Sequence, residues 1–222
     1  ALVVEGYMDV VALAQHGIGN AVATLGTATT LFHIKKLTRY TDEIVFCFDG
    51  DNAGRTAAWR AMNNSLSALT DNVQLKFLFL PNQHDPDSFV RENSSDAFRA
   101  LAKEAIPLTE YIIKYLTQDN DLVSQESKVK FLNELEPIMK QFTAKKLLLL
   151  FKKRIAQLVD LDIQEIDQIF KIKFKNEVIK NSASRNNRIP MSAIRRYCLF
   201  VILEPDIVTL VDQEMFLTEK ID

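Results

Sequence analysis

The chain has 222 residues, 47% of them hydrophobic and 25% charged, which is ordinary globular composition and enough length for more than one core. Its net charge of −2 excludes attraction to nucleic acid by overall charge, so any basic surface has to be local. Only two cysteines occur, Cys47 and Cys198, far apart; they argue against a disulfide framework or a zinc site, and no signal peptide or bilayer-spanning apolar run is present.

The chain opens on Ala1-Leu2-Val3-Val4-Glu5, without a methionine and inside an apparent strand, which reads as an excised fragment. From there to about residue 106 strand and helix alternate. Short runs rich in Val, Phe, Leu and Ile predict strands over 2–5, 21–25, 43–49 and 74–80. Helical patterns fall between them, over 8–15, 30–40 and 53–69, and Gly17 stands where a helix C-terminal glycine belongs. The alternation predicts right-handed βαβ units and a parallel sheet flanked by helices on both faces.

After Pro107 the strand signals vanish. A helix is predicted over 107–118. A second starts at Ser124, with Leu132, Leu135, Met139 and Phe142 on one face and Pro137 as a kink or break. Thr143 is the expected cap of a third helix running to about Val159, and Asp162 with Glu165 has capping-box spacing for a fourth. Residues 107–180 therefore read as an all-helical subdomain following a core at 1–106. Residues 181–190 are polar and aperiodic, a linker. Two short helices split by Pro205 are expected in 191–222, too few to bury a core.

The chemistry lies in six carboxylates, in three clusters at or just past the ends of apolar runs: Glu5 and Asp9, Asp49 and Asp51, Asp85 and Asp87. In a parallel sheet those ends open on one edge, where ligands bind. Asp49 and Asp51, two apart on extended backbone, point the same way, and a neighbouring strand about 4.8 Å away brings Glu5 within reach of the same ion. Acids gathered like this repel one another unless a cation sits among them, and an all-oxygen donor set suits Mg²⁺. Two such ions about 3.5–4 Å apart activate an attacking oxygen and stabilise a leaving pyrophosphate. The competing structural reading is that Asp-Gly-Asp-Asn-Ala-Gly is a turn and helix cap, and Asp85-Pro86-Asp87 an Asx turn. The three histidines have no metal-ligand spacing, and neither a Walker loop nor a well-placed GxGxxG is present.

The strings Val3-Val4-Glu5-Gly6-Tyr7-Met8-Asp9, Leu25-Gly26-Thr27, Asp49-Gly50-Asp51-Asn52-Ala53-Gly54-Arg55 followed by Ala57-Ala58-Trp59-Arg60-Ala61, and Leu80-Pro81 leading to Asp85-Pro86-Asp87 resemble the Toprim part of bacterial DnaG-type primases. The resemblance covers residues 1–100 strongly, the helices to about 175 more weakly, and 191–222 faintly, as the start of a helicase-docking domain. It implies a Toprim-like fold and a nucleotidyltransferase that makes short RNA primers during replication. Glu5, Asp49 and Asp51 would hold two Mg²⁺ or Mn²⁺ ions and be catalytic, with Asp9, Asp85 and Asp87 completing the metal cluster. The implied partners are a single-stranded DNA template, ribonucleoside triphosphates and, through the C-terminal region, the replicative helicase, in the bacterial cytoplasm at the replication fork and with no membrane. Zinc belongs to an N-terminal domain that this chain lacks, as does the first half of the polymerase domain, so the fragment alone is expected to be inactive.

Other surfaces are less specific. Lys145 and Lys146, with Lys152, Lys153 and Arg154 and then Lys171, Lys173, Lys175 and Lys180, form a candidate phosphate-attracting stripe, although a solvated helix face explains each one. Arg55 also has a phosphate within reach on this reading. Two rivals stand beside the main one. A haloacid-dehalogenase-like phosphatase would use Asp49 as nucleophile and Asp51 as acid/base, with no role for Glu5. A non-catalytic helicase-docking module would use the helices after 107 and the terminal segment.

Overall fold

The structure, a computed structural model, describes residues 1–24, 29–81, 84–118 and 121–170, all within one compact unit. The turn at Gly26-Thr27, the lysines from 171 onward, the linker at 181–190 and the helices expected in 191–222 lie outside the described residues.

Five strands form one sheet in the order β2-β1-β3-β4-β5: β1 (Leu2–Val4), β2 (Ala21–Ala23), β3 (Glu43–Phe48), β4 (Gln74–Phe79) and β5 (Ile106–Pro107). The first four run parallel, as the alternating pattern requires. The central strand β3 is buried along five of its six residues, the near-continuous apolar run of a strand covered on both faces. Its side chains divide between two cores by the period of two: Ile44, Phe46 and Phe48 enter one, Val45 and Cys47 the other. β4 continues both, with Leu75 and Phe77 on the first side and Leu78 on the second.

The smaller core is closed by α1 (Tyr7–Gln15), α4 (Pro86–Asn93) and α5 (Ser95–Lys103), through Leu13, Phe89 and Phe98. The sequence reading assigns no helix between 81 and 106, yet α4 and α5 form there, capped by Asp85 and Ser94. The larger core is closed by α2 (Leu31–Leu37) and α3 (Asn52–Leu66), and then by α6 (Leu108–Leu116), α7 (Gln125–Met139), α8 (Lys145–Val159) and α9 (Ile163–Phe170). It runs without a break from Phe46 and Phe77 on the sheet to Phe131, Phe151 and Phe170 in the helices. The core therefore does not divide at 106/107. Tyr111 of α6 stacks on Phe77 with ring centroids 4.3 Å apart, so the first of these helices lies on the sheet itself.

Three local expectations change. Ile106 and Pro107 are a strand, pairing antiparallel with Phe77 and Lys76, rather than the start of a helix. A proline is tolerated there because β5 is an edge strand. Pro137 lies two residues from the end of α7, where the helix finishes its last turn instead of breaking. Thr143 does not cap α8: its hydroxyl donates to the carbonyls of Leu66 and Leu69. The cap comes from outside the helix, as Asp71 Oδ1 accepts from the backbone N–H groups of Lys146 at 2.8 Å and Leu147 at 3.2 Å.

Candidate functional site

The parallel register sets the C-terminal ends of β1, β3 and β4 side by side. Val3 pairs with Phe46, so Glu5, two residues on, stands level with Phe48 and one residue short of Asp49. Phe48 pairs with Phe79, and the Leu80 N–H reaches the Phe48 carbonyl at 3.0 Å, so the chain leading to Asp85 leaves beside Asp49. Thr24 N–H donates to the Val4 carbonyl at 3.1 Å and closes the other side of the β1 end.

Local turns then aim the carboxylates. Asp9, in the first turn of α1, accepts from the Gly6 N–H at 3.0 Å, folding its side chain back toward the β1 end. Asp51 is the N-cap of α3 and accepts from the Gly54 N–H at 2.7 Å. Asp85 caps α4: it accepts from the Ser88 N–H at 2.7 Å while the Ser88 hydroxyl accepts from the Asp85 N–H at 3.0 Å, and Pro86 takes the first helical position. Asp87 pairs with Arg91 one turn later. Turn chemistry thus accounts for one oxygen of Asp9, of Asp51 and of Asp85. The side chains of Glu5 and Asp49 have no hydrogen-bond partner and no ion pair among the described residues.

The electrostatics tie these groups together. Burial pushes the Asp49 carboxyl up to about 6, and Glu5, Asp85, Asp51 and Asp9 push it in the same direction. Burial, Asp9 and Asp51 raise Glu5. Burial raises Asp9, the backbone N–H of Gly6 opposes, the charges of Asp85 and Asp87 add to the rise, and the backbone N–H of Asp87 offsets part of it. Burial followed by Asp49, Asp9 and Glu5 also raises the Cys47 thiol beneath the edge, so it is no nucleophile. Asp85 runs the other way, held below the usual carboxylate range by the donors of Ser88. No cation is among the influences on Glu5 or Asp49.

The structure therefore brings Glu5, Asp9, Asp49, Asp51 and Asp85 into mutual influence at one edge, with Asp87 at its margin. It does not close them into a coordination shell: among the described residues no three His, Cys, Asp or Glu side chains converge on one ion position. The donors nonetheless suit a hard divalent cation. They are all carboxylate oxygens, two of the groups are uncommitted, and Asp49 carries an uncompensated penalty that a cation would remove.

The other candidates lie elsewhere. Arg55, in the first turn of α3, acts on Tyr111 and lines a cleft beside the edge. Lys145 and Lys146 begin α8, and the Lys146 N–H contacts Asp71, just ahead of β4; that is the sheet edge opposite the carboxylates. Lys152 is buried, with Nζ 2.5 Å from Asp167 Oδ1, and braces α9 instead of presenting charge to solvent.

Sequence reasoning missed Gly54 as a positioning residue. A Cβ there would lie 2.2 Å from the Asp49 carbonyl oxygen, so only glycine lets α3 start this close to the acidic turn. The signal was present as the second glycine of Asp-Gly-Asp-Asn-Ala-Gly, read only as part of a turn.

Residues 2–90 match the family described as Toprim-like, and residues 109–164 match the family described as the DnaB-helicase binding domain of primase. The DNA primase of Neisseria meningitidis serogroup B is 42% identical over 210 residues, covering 94% of this chain and 35% of that protein. A crystal structure of a DNA primase domain from Pseudomonas aeruginosa superposes with a TM-score of 0.74 at 47% identity, covering 77% of this chain and 53% of that one. The structure of a DnaG primase catalytic domain bound to ssDNA superposes with a TM-score of 0.66 at 42% identity, covering 70% of this chain and 50% of that one. The chain spans about a third of the length of the curated relatives it matches.

Proposed function

Because this chain belongs to the bacterial DnaG-type primase family, we propose that its carboxylate edge is the metal-holding half of a primer-synthesising site. The whole protein joins ribonucleoside triphosphates on a single-stranded DNA template with release of pyrophosphate, at the replication fork in the bacterial cytoplasm. The observation that carries this reading is Asp49, half-buried, without a hydrogen-bond partner among the described residues, and pushed up to about 6 by burial and four neighbouring carboxylates.

Glu5, Asp49 and Asp51 would hold the ions, with Asp9, Asp85 and Asp87 setting the surrounding negative potential. Mg²⁺ or Mn²⁺, two ions on this reading, supplies electrophilic stabilisation at the attacking and leaving oxygens. The chain's own residues do the positioning. Gly54 lets the α3 N-terminus approach, Asp51 divides its oxygens between the helix cap and the site, and the Ser88 donors keep Asp85 ionised. No group of this chain needs to act as a covalent nucleophile.

The phosphatase alternative gains no support from these likenesses, and one oxygen of Asp51, its required acid/base, is engaged at Gly54. We take the replicative helicase as a partner of the region after the sheet. The helicase-binding family description falls on 109–164, within the helices after 107 that the docking-module reading used, and upstream of 191–222, where the resemblance set the start of the docking domain. We also take this chain to be inactive without the upstream half of the polymerase domain. The test is Asp49→Asn in the intact protein, assayed for primer synthesis on single-stranded DNA with circular dichroism to verify the fold. Loss of synthesis with a retained fold is expected; normal synthesis would overturn the assignment.

A further inference from the structure

Beside the carboxylate edge lies a cleft of about 920 Å³ between the start of α3, strands β4 and β5, and helices α6 and α7. That volume suits a small-molecule ligand. At its floor Tyr111 is 4% exposed, and its hydroxyl has no hydrogen-bond partner among the described residues. A buried hydroxyl left without a partner is destabilising, so folded proteins rarely keep one without a use. Burial raises the phenol's proton affinity, so it remains a donor at any physiological pH.

The rim supplies charge. Arg55, Lys114 and Lys130 line the cleft, and none of the three forms an ion pair among the described residues. Glu104 and Glu134 also line it and are likewise unpaired, leaving an excess of one positive charge, three minus two. One wall is aromatic: Tyr115 lines the cleft and stacks on Trp59 with centroids 3.8 Å apart and planes at 12°. Cations and a buried donor call for an anion with several acceptor oxygens. The aromatic wall calls for a flat ring, and the two carboxylates for amino or hydroxyl donors. A nucleoside phosphate carries all three.

We propose that this cleft is a second ligand site, separate from the carboxylate edge, that binds a free nucleoside phosphate. Its phosphate oxygens lie at Arg55, Lys114 and the Tyr111 hydroxyl, and its base lies along Tyr115. The inference rests on the primase reading only in taking a nucleotide as the ligand. Metal binding lost in Asp49→Asn tests that reading; the following experiment tests this one, because a chelator removes any metal-held nucleotide from the acidic edge.

The experiment is a titration of ADP into the 222-residue chain in excess EDTA, by calorimetry and by emission of Trp59, the chain's one tryptophan. Saturable binding is expected. Lys114→Gln should weaken it about tenfold, the scale of one lost charge-assisted hydrogen bond. Tyr111→Phe should weaken it several-fold while raising the urea midpoint, since it removes an unsatisfied hydroxyl; a purely structural hydroxyl would lower the midpoint. Asp49→Asn should leave ADP binding unchanged. Absence of saturable binding, binding indifferent to both cleft variants, or binding of an oligo-dT strand but not of ADP would each overturn the proposal.

Discussion

Gly54 and Asp49 approach so closely that a methyl group on the first would stand 2.2 Å from the carbonyl oxygen of the second. The contact couples a helix start to the position of a site carboxylate. Gly54→Ala must push α3 away from the turn, so we expect a loss of about 1–3 kcal/mol, the usual cost of overpacking. Mn²⁺ affinity should fall with it. Gly19→Ala is the control, because nothing lies within 4 Å of its added Cβ. Urea unfolding and calorimetry on the two variants check both parts, and a stable Gly54→Ala with native Mn²⁺ affinity would contradict the coupling.

The carboxylates differ in what they give up on metal binding. Among the described residues Asp49 has no hydrogen-bond partner to lose, whereas Asp51 caps α3 through Gly54. Asp49→Asn should therefore abolish Mn²⁺ binding with little change in apo stability at acid pH. Asp51→Ala should weaken Mn²⁺ binding and also cost about 1 kcal/mol as a lost N-cap. Calorimetry paired with urea unfolding separates the two. Equal stability of Asp51→Ala and the parent chain would mean that Asp51 is not needed as a cap.

The pH dependence carries a definite sign. Asp49 titrates near 6 in the folded chain against 3.8 as a free side chain, so the unfolded chain releases this proton more readily. Its contribution to stability is full below about pH 4 and is lost as pH rises through 6. Glu5 and Asp9, also raised, add in the same direction. For a half-buried group screened by water the Asp49 part is on the order of 1 kcal/mol. Asp85 has the opposite sign: its stabilisation is present above its ordinary value and is lost as pH falls below it. Urea midpoints in EDTA should fall between pH 4 and 7, Asp49→Asn should flatten the slope, and Mg²⁺ should restore stability at pH 7. A midpoint rising across that window would refute the cluster's mutual repulsion.

Much of this was legible from the chain alone. The four parallel strands follow from short apolar runs, and the acidic edge follows from where those runs stop, because a parallel sheet carries its strand ends to one side. The unread parts depend on contacts between segments distant in sequence. Ile106 and Pro107 carry no strand pattern in two residues, and only β4 beside them makes them a strand. Lys152 reads as a solvated lysine until Asp167, one helix later, folds over it. Arg55 sits in the acidic motif yet acts on Tyr111, because the start of α3 faces α6 as well as the edge. Nor does a sequence report that Gly54 meets a backbone oxygen, since turn preference and close approach select the same residue.

Asp71 offers the sharpest test of such long-range wiring. Thr143 stands where a local cap belongs, but its hydroxyl is spent on Leu66 and Leu69, and the two N–H groups at the start of α8 reach Asp71 instead. A carboxylate there also offsets the positive end of the helix, a place where Lys145 and Lys146 add unfavourable charge. Asp71→Ala should lower stability by about 1–2 kcal/mol, with an unchanged urea slope. Asp71→Asn keeps an acceptor oxygen and should lose less. Because Asp71 precedes β4, at the sheet edge away from the carboxylates, Mn²⁺ affinity should be the same in all three chains. If Asp71→Ala unfolds at the parent's midpoint, the α8 N–H groups find water or Thr143 at no cost, and the capping role fails. If Mn²⁺ affinity falls without unfolding, the two edges of the sheet are coupled, and the separation argued from register is wrong.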